Sequence, residues 1–251
     1  RKDSIQLSAE YEAFSQKAEG EDSDDRESYV APIVNSKFQE TVFQKAFHAV
    51  GEDIANTSYD ASVVVDEQHK YLVGIKSFGL DSGDQKIAQF KKDSQSWNEL
   101  LSEIRFHAEI SPDKETADKE NRARYEKLAL EIATLRNQRI ESSKALIRGF
   151  HSDSSHVEAV YHVLMPTSKG HKPQIHVGET TYLPVDLDRL KILGSTTKNN
   201  PTNFRFTDGQ HDYKYTAADS QLHMTFRNKE IVVDTWDVNY VEDPFYLFEH
   251  L

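Results

Sequence analysis

The chain has 251 residues, of which 37% are hydrophobic and 29% are charged, and its formal net charge is −12 at pH 7. This length allows a sizeable buried core, and the sequence contains no apolar run close to the ~20 residues that a bilayer-spanning helix needs. The absence of cysteine excludes disulfides, zinc–thiolate sites and cysteine nucleophiles, and it fits a cytoplasmic protein.

The negative charge is concentrated at the two ends of the chain. Residues 1–30 hold nine acidic and four basic side chains, and residues 230–251 hold six acidic side chains and no basic one. The segment between them is nearly neutral, so it can present a basic groove to nucleic acid. Residues 1–30 are predicted to be a flexible acidic lead-in, because they are short of apolar anchors. Residues 31–251 are predicted to form a single domain.

The first predicted elements are a helix and a β-hairpin. The helix covers Asn35–Val50 and can be capped by Asn35 or Ser36. Its apolar residues recur at helical spacing and predict one buried face, made of Phe38, Val42, Phe43, Ala46 and Phe47. Two β-branched and aromatic strands follow, Ala61–Val65 and Tyr71–Phe78, with the polar turn DEQHK between them.

A helical region and then a β-rich region are predicted beyond the hairpin. A short helix covers Gln85–Lys92, and residues 94–149 form a helical hairpin that projects from the body of the protein. This hairpin consists of Trp97–Ile110 and of a long helix from about Lys114 to Arg148, with a break at Ser-Pro-Asp between them. Residues 150–251 are predicted to be β-rich, with strands at Glu158–Met165, Gln174–Val177, Thr180–Leu183, Asn203–Thr207, Gln221–Arg227 and Glu230–Trp236. The chain is therefore predicted to be an α+β protein.

Two residues of the hairpin have side chains of the kind that catalysis uses. Asp60 stands at the entry of the first strand, and Lys76 stands near the exit of the second. In an antiparallel hairpin these positions can fall close together. A carboxylate that holds Mg²⁺ and an ammonium that orients water or stabilises phosphate charge are the groups that metal-assisted phosphodiester hydrolysis uses.

On these residues the stretch resembles the PD-(D/E)XK nuclease superfamily, which includes the type II restriction endonucleases. In that superfamily an acidic residue opens the second core strand, the next strand carries (D/E)-x-K, and a Glu often lies on the preceding helix. Asp60, Lys76 and Glu40 match these positions. The resemblance covers residues 35–92 and implies a mixed sheet core flanked by helices, with Asp60, Lys76 and Glu40 as catalytic residues. It also implies a Mg²⁺ ion bound by Asp60 and Glu40.

One position departs from the pattern of this superfamily. Gly74 stands two residues before Lys76, where the second acid is expected, and a glycine has no side chain to bind a metal. Some restriction enzymes of the superfamily recruit an acid from a neighbouring helix instead. Glu40 is the first candidate for this role, and the alternatives after the lysine are Asp84, Gln85 and Gln89.

A second group of residues has the side chains that contact DNA. The stretch STTKNNPTNFRF, residues 195–206, is dense in hydroxyls, amides and cations, which contact phosphates and base edges. It supplies Lys198, Asn200, Asn203 and Arg205 as predicted DNA-binding residues, and Lys91 on the short predicted helix is a fifth. The β-rich part 150–251 is accordingly predicted to recognise DNA.

The sequence therefore predicts a Mg²⁺-dependent type II restriction endonuclease that hydrolyses phosphodiester bonds in double-stranded DNA. Cutting both strands of a duplex requires two sites, so a homodimer is expected, and no membrane association is expected. The alternative is a catalytically inert DNA-binding or assembly protein that retains the hairpin without its second acid. Gly74 is the feature that favours this alternative.

Overall fold

The computed structural model describes residues 31–51, 59–66, 69–148 and 156–238. The predicted acidic lead-in, residues 1–30, lies outside these ranges. The described residues fall into two compact units. Within the described ranges, the first unit combines the residues up to Ser82, those of Ser143–Leu183 and those from Arg227 to Val238, and the second unit combines Gly83–Ser142 with Pro184–Phe226.

The described residues form three α-helices and eleven strands, in agreement with the predicted α+β class. The helices are α1 (Ser36–Phe47), α2 (Asn98–Ile110) and α3 (Lys114–Arg148). The strands are β1 (Val50–Gly51), β2 (Ala61–Val64), β3 (His69–Ser77), β4 (Asp84–Gln89), β5 (His156–Pro166), β6 (Gln174–Thr181), β7 (Lys191–Thr197), β8 (Asn200–Thr207), β9 (Asp212–Thr216), β10 (Gln221–Thr225) and β11 (Val232–Asp237). None of the helices in the described ranges is long and apolar enough to cross a membrane.

The first unit is built on a mixed six-stranded sheet with the order β1-β2-β3-β5-β6-β11. Strands β3 and β5 are parallel, and the other neighbours are antiparallel. Helix α1 begins where the Asn35 side chain accepts a hydrogen bond from the Phe38 amide, as the sequence predicted. It covers one face of the sheet: Val42 packs on the β5, β6 and β11 side, and Phe43 packs with Ala61, Val73 and Ile75.

The buried side of α1 differs in part from the predicted one. Phe38, Ala46 and Phe47 are exposed, whereas Gln39 is fully buried beside Val42 and Phe43. Burial of this amide is possible because its nitrogen donates a hydrogen bond to the Lys76 carbonyl at 3.1 Å.

The second unit is an antiparallel five-stranded sheet covered by helices on one face. The strand order is β4-β10-β9-β8-β7. The Tyr125 ring of α3 stacks on Phe204 of β8, with 4.9 Å between the ring centroids, and Trp97 meets Tyr215 edge-on at 5.9 Å. The helical hairpin therefore packs on the sheet of its own unit, and the prediction that it projects from the body is wrong. Leu128 and Ile132 of α3 are completely buried.

Five strands differ from the predictions, and for two of them the physical reason is identifiable. Residues 85–92 have helical propensity, but they lie in strand β4 and the turn after it, because pairing with β10 overrides that propensity. The two strands predicted around Gly178 are one strand, β6, which pairs with β5 without interruption from Ile175 to Thr181. A Cβ at Gly178 would lie 2.7 Å from the Met165 methyl group. This glycine therefore allows close packing within a strand and does not mark a turn. Strands β1, β7 and β9 were not predicted.

Tyr125 provides a test of how the second unit is held together. Its side chain is completely buried, and its hydroxyl donates a 2.7 Å hydrogen bond to the Pro201 carbonyl. We expect Tyr125→Phe to lower the free energy of unfolding by about 1–2 kcal/mol, because the buried carbonyl loses its donor. Urea denaturation measures this change. Leu130→Ala, on the exposed side of the same helix, is the control and should change the value by less than about 0.5 kcal/mol. Equal stability of the Tyr125→Phe variant and the wild type would contradict the assigned hydrogen bond.

Candidate active site

Asp60 is fixed by the backbone of the neighbouring strand. It directly precedes β2, and its Oδ2 accepts a hydrogen bond from the Ile75 amide at 2.6 Å. Its own amide donates to the Val73 carbonyl at 3.0 Å. The carboxylate thus takes the place of a backbone acceptor at the end of the β2–β3 ladder. It is held against the tripeptide Gly74–Lys76.

Lys76 and α1 lie on opposite faces of the six-stranded sheet. Val73 and Ile75 pack under α1, and side chains alternate along a strand. The side chain of Lys76 therefore points to the other face, as does that of Leu72. Gly74 lies between these two residues on the same face. The backbone carbonyl of Lys76 contacts α1 through its hydrogen bond with Gln39.

Glu40 lies on the side of α1 that faces the strand ends. On either side of it around the helix are Gln39, which bonds to the Lys76 carbonyl, and Gln44, whose amide nitrogen lies 3.5 Å from the Asp60 carbonyl oxygen. Its carboxylate forms an ion pair with Lys37 at 3.0 Å, and its side chain is 22% exposed. Glu40 therefore approaches the end of the hairpin from the face opposite to Lys76.

The space where the missing acid would stand is filled by Tyr161. A Cβ built on Gly74 would lie 2.9 Å from two carbon atoms of the Tyr161 ring. Tyr161 lies directly opposite Gly74 in the parallel β3–β5 pairing and is almost completely buried. An acidic side chain at position 74 would therefore require this ring to move.

The donor atoms at the end of the hairpin suit Mg²⁺ in type, although they do not form a ready-made cage. Within the described ranges, no group of three histidine or acidic side chains is arranged to hold a metal ion. Mg²⁺ is commonly bound through one or two carboxylates together with waters and substrate phosphates, and the carboxylates of Asp60 and Glu40 are ligands of this type. The amide oxygen of Gln39, beside Glu40 on α1, is buried and has no hydrogen-bond partner.

Three of the predicted DNA-binding residues lie at turns of the second unit. Lys91 is exposed just after β4, on a turn and not on the predicted helix. The Lys198 ammonium donates to the Ser111 and Pro112 carbonyls at 2.8 and 2.9 Å, where it closes the C-terminal end of α2. Asn200 begins β8 and is exposed. Through these contacts Lys198 stabilises the second unit.

The other two predicted DNA-binding residues lie on one face of the five-stranded sheet. Asn203 accepts a hydrogen bond from the Ala217 amide at 2.9 Å. Arg205 forms a two-pronged ion pair with Asp84, at the start of β4. Asp84, which was an alternative metal ligand, is thus engaged by basic side chains of the second unit.

The Asp84 carboxylate is the most strongly perturbed acid of this unit. Its side chain is 8% exposed, and burial alone would raise its pKa. Hydrogen bonds from Arg205, Thr225 and Lys214 outweigh the burial and lower the pKa to about 2. The carboxylate is consequently ionised at neutral pH and positions two cations beside it.

A cavity of about 470 Å³ opens beside α1 in the first unit, apart from the candidate catalytic residues. Its walls are mostly apolar and include Phe43, Phe47 and Tyr71, with His162 and Glu179 as polar members. Asp60, Lys76 and Glu40 do not line it. The cavity is therefore not the site of the chemistry that the hairpin indicates.

Comparison with protein-family models, with curated proteins and with solved structures gives no match to this chain. The functional argument accordingly rests on the residues and their geometry. The sequence pattern pointed to Asp60, Lys76 and Glu40. It missed the roles of Gln39 and Gln44, because their contacts with strand carbonyls depend on the docking of α1.

The low pKa of Asp84 predicts a pH-dependent contribution to stability. Because the pKa is about 2 in the folded protein and 3.8 in the unfolded reference, the contribution is fully present above pH ~4 and declines as the pH falls toward 2. We expect Asp84→Asn to lower the free energy of unfolding by roughly 2 kcal/mol at pH 7, and by about half as much at pH 3. Urea denaturation at several pH values measures this difference.

The control for this experiment is Asp212→Asn, which neutralises an exposed aspartate at the start of β9. It should change stability by less than about 0.5 kcal/mol at either pH. A penalty for Asp84→Asn that is the same at pH 7 and pH 3 would show that the carboxylate charge is not what stabilises the unit.

Proposed function

We propose that the protein is a Mg²⁺-dependent endonuclease that hydrolyses phosphodiester bonds in double-stranded DNA, of the type II restriction kind. The observation that carries this proposal is the hydrogen bond between the Asp60 carboxylate and the Ile75 amide. It holds an acid against the tripeptide that ends in Lys76, at the end of a β-hairpin in a mixed sheet.

The order of elements gives further support. Helix α1 with Glu40 is followed by β1, by β2 with Asp60 at its entry and by β3 with Lys76. Asp60 therefore opens the second strand of the sheet and Lys76 lies on the third, as the resemblance to the PD-(D/E)XK superfamily requires. Strand β1, which the sequence did not predict, is what makes β2 the second strand.

Each residue has a distinct task in this reaction. Asp60 and Glu40 are the carboxylates that would hold Mg²⁺, which when bound neutralises phosphate charge and acidifies water. Lys76 donates hydrogen bonds to the attacking water or to the scissile phosphate and stabilises the charge that develops there. In this proposal Glu40 acts from the α1 side of the hairpin end and Lys76 from the opposite face of the sheet.

A cut in both strands of a duplex requires two such sites, so the proposed enzyme works as a homodimer in the cytoplasm. The second candidate is a catalytically inert DNA-binding or assembly protein. The Tyr161 ring against Gly74 favours it, because an acid at position 74 would clash with this ring.

A plasmid incubated with the protein, with and without Mg²⁺, distinguishes the two candidates. Discrete fragments that require Mg²⁺ are expected from the restriction enzyme. Intact plasmid together with a gel shift would contradict the nuclease and support the inert binding protein.

Lys76→Ala tests the role of the lysine. We expect cleavage to fall about a hundredfold or more while DNA affinity stays near that of the wild type, because a charge-stabilising contact of the transition state is lost. Lys70→Ala removes a lysine from the same strand, six residues earlier, and should cleave like the wild type. Initial rates on a supercoiled plasmid and binding of a labelled duplex provide the two measurements. Cleavage by Lys76→Ala within a few-fold of wild type would remove Lys76 from the site.

Glu40→Gln tests the recruitment of the helix carboxylate. The change keeps the shape of the side chain and removes its charge, so we expect a folded protein whose cleavage at limiting Mg²⁺ falls about 10- to 100-fold. Asp60→Asn should show a loss in the same direction. Mg²⁺ titrations of the cleavage rate measure both effects. A Glu40→Gln protein with wild-type Mg²⁺ dependence would leave Asp60 as the single carboxylate ligand.

A further inference from the structure

A row of basic side chains crosses one face of the five-stranded sheet in the second unit. Lys86 of β4 lies opposite His223 of β10, His223 lies opposite Lys214 of β9, and Lys214 lies opposite Arg205 of β8. Residues directly opposite each other on paired strands point to the same face. These four residues, one from each of four adjacent strands, are called the basic row below.

The face that bears the basic row is polar throughout its central strands. Asn203 of β8 and Thr216 of β9 lie on this face two residues from Arg205 and Lys214. On the other side of Arg205 along β8 lies Thr207, which is opposite Lys191 of β7. The reverse face carries the apolar side chains that the helices cover, namely Phe204, Phe206, Tyr213, Tyr215, Leu222 and Met224. The sheet is thus amphipathic, with one face in the core of the unit and one face built of hydrogen-bonding groups.

The charge of the polar face is positive. Lys86, Lys191, Lys214 and Arg205 are set against two aspartates, Asp84 and Asp212, on the same face. Asp84 is nearly buried, whereas Lys86 is exposed and the side chains of Arg205 and Lys214 are 38% and 25% exposed. The buried carboxylate therefore lies beneath the cations and orients them, and the charge that solvent meets is mainly theirs.

The cations of the basic row contribute to the pKa of His223. Its pKa is lowered first by burial and then by Lys214, with smaller contributions in the same direction from Lys86 and Arg205. Of the groups that act on this imidazole, Asp84 is the one that raises its pKa. Together the cations of the row lower this pKa by more than Asp84 raises it.

The chemistry of the face matches the phosphate backbone of a DNA duplex. The side chains of Arg205 and Lys214 both reach Asp84 of β4, so that together with Lys86 they form a compact group of cations, the kind of group that contacts phosphates. Single-stranded nucleic acid is usually held by stacking of bases on aromatic side chains. The aromatic residues of β8 and β9 all lie on the buried face, so the polar face offers no such platform.

We propose that this face binds double-stranded DNA, with Lys86, Lys214 and Arg205 contacting its phosphates. The proposal rests on the proposed nuclease function, for which it assigns the surface that holds the substrate. Of the five DNA-binding residues predicted from sequence it retains Asn203 and Arg205. It adds Lys86, Lys214 and His223, which come together only through strand pairing.

Fluorescence anisotropy of a fluorescein-labelled 30-base-pair duplex tests the proposal in the full chain, with EDTA present to prevent cleavage. Lys86→Gln and Lys214→Gln should each weaken binding several-fold and reduce the slope of log affinity against log salt by about 0.9, the value for one lost phosphate contact. Lys119→Gln removes the same charge from the exposed surface of α3 and should leave both quantities unchanged. Because Lys86 is exposed, its variant decides the result if Lys214→Gln unfolds the protein.

The outcomes separate this proposal from the nuclease assignment. Wild-type protein that binds the duplex through the basic row but does not cut a plasmid with Mg²⁺ supports the binding face and overturns the nuclease. Mg²⁺-dependent cleavage with wild-type binding by Lys86→Gln supports the nuclease and overturns the binding face. A preference for single-stranded DNA or RNA of the same length, or no binding to the duplex, also overturns the binding face.

Discussion

The parallel pairing of β3 with β5 is the constraint on which the architecture depends. It runs from the His69–His156 pair to the Ser77–Leu164 pair and places β3 between two hydrogen-bonded neighbours. Two parallel strands cannot be joined by a tight turn, so the chain must leave the sheet and return. Strand β4, α2 and most of α3 are formed in that crossover. The same pairing fixes the backbone of Lys76 opposite Val163 of β5, and the Lys76 carbonyl is held by Gln39 of α1.

Local patterns in the sequence were sufficient for the elements whose determinants are local. The cap at Asn35, the two strands around the DEQHK turn and the limits of the long helix all follow from nearest-neighbour chemistry, and the structure has them at or near the predicted residues. Residues 85–92 show the opposite case, because their helix-forming composition yields to pairing with β10. Strand β9 is only five residues long, and its tyrosines and lysine alternate too briefly to stand out from a polar turn.

The features of the candidate site also differ in whether local sequence determines them. Asp60, Lys76 and Glu40 could be selected from sequence because the strand and helix that carry them are local features. The ring of Tyr161 against Gly74 could not, because the two residues meet through the β3–β5 register across the crossover. The basic row is a still longer-range feature, assembled from four strands in two separate segments of the chain. Each of its residues alone is an unremarkable surface cation in the sequence.

The second unit consists of two separate segments of the chain, and this arrangement affects how the protein folds during synthesis. Its strand β4 bonds only to β10 in the sheet, and Asp84 and Thr225 at the pair's end are 141 positions apart. During synthesis β4 therefore emerges from the ribosome long before its partner, and closing so large a loop is entropically costly. A high contact order of this kind slows folding, so the five-stranded sheet is completed late. Helices α2 and α3 can associate earlier, and they then offer an apolar template on which the late strands β8 to β10 assemble.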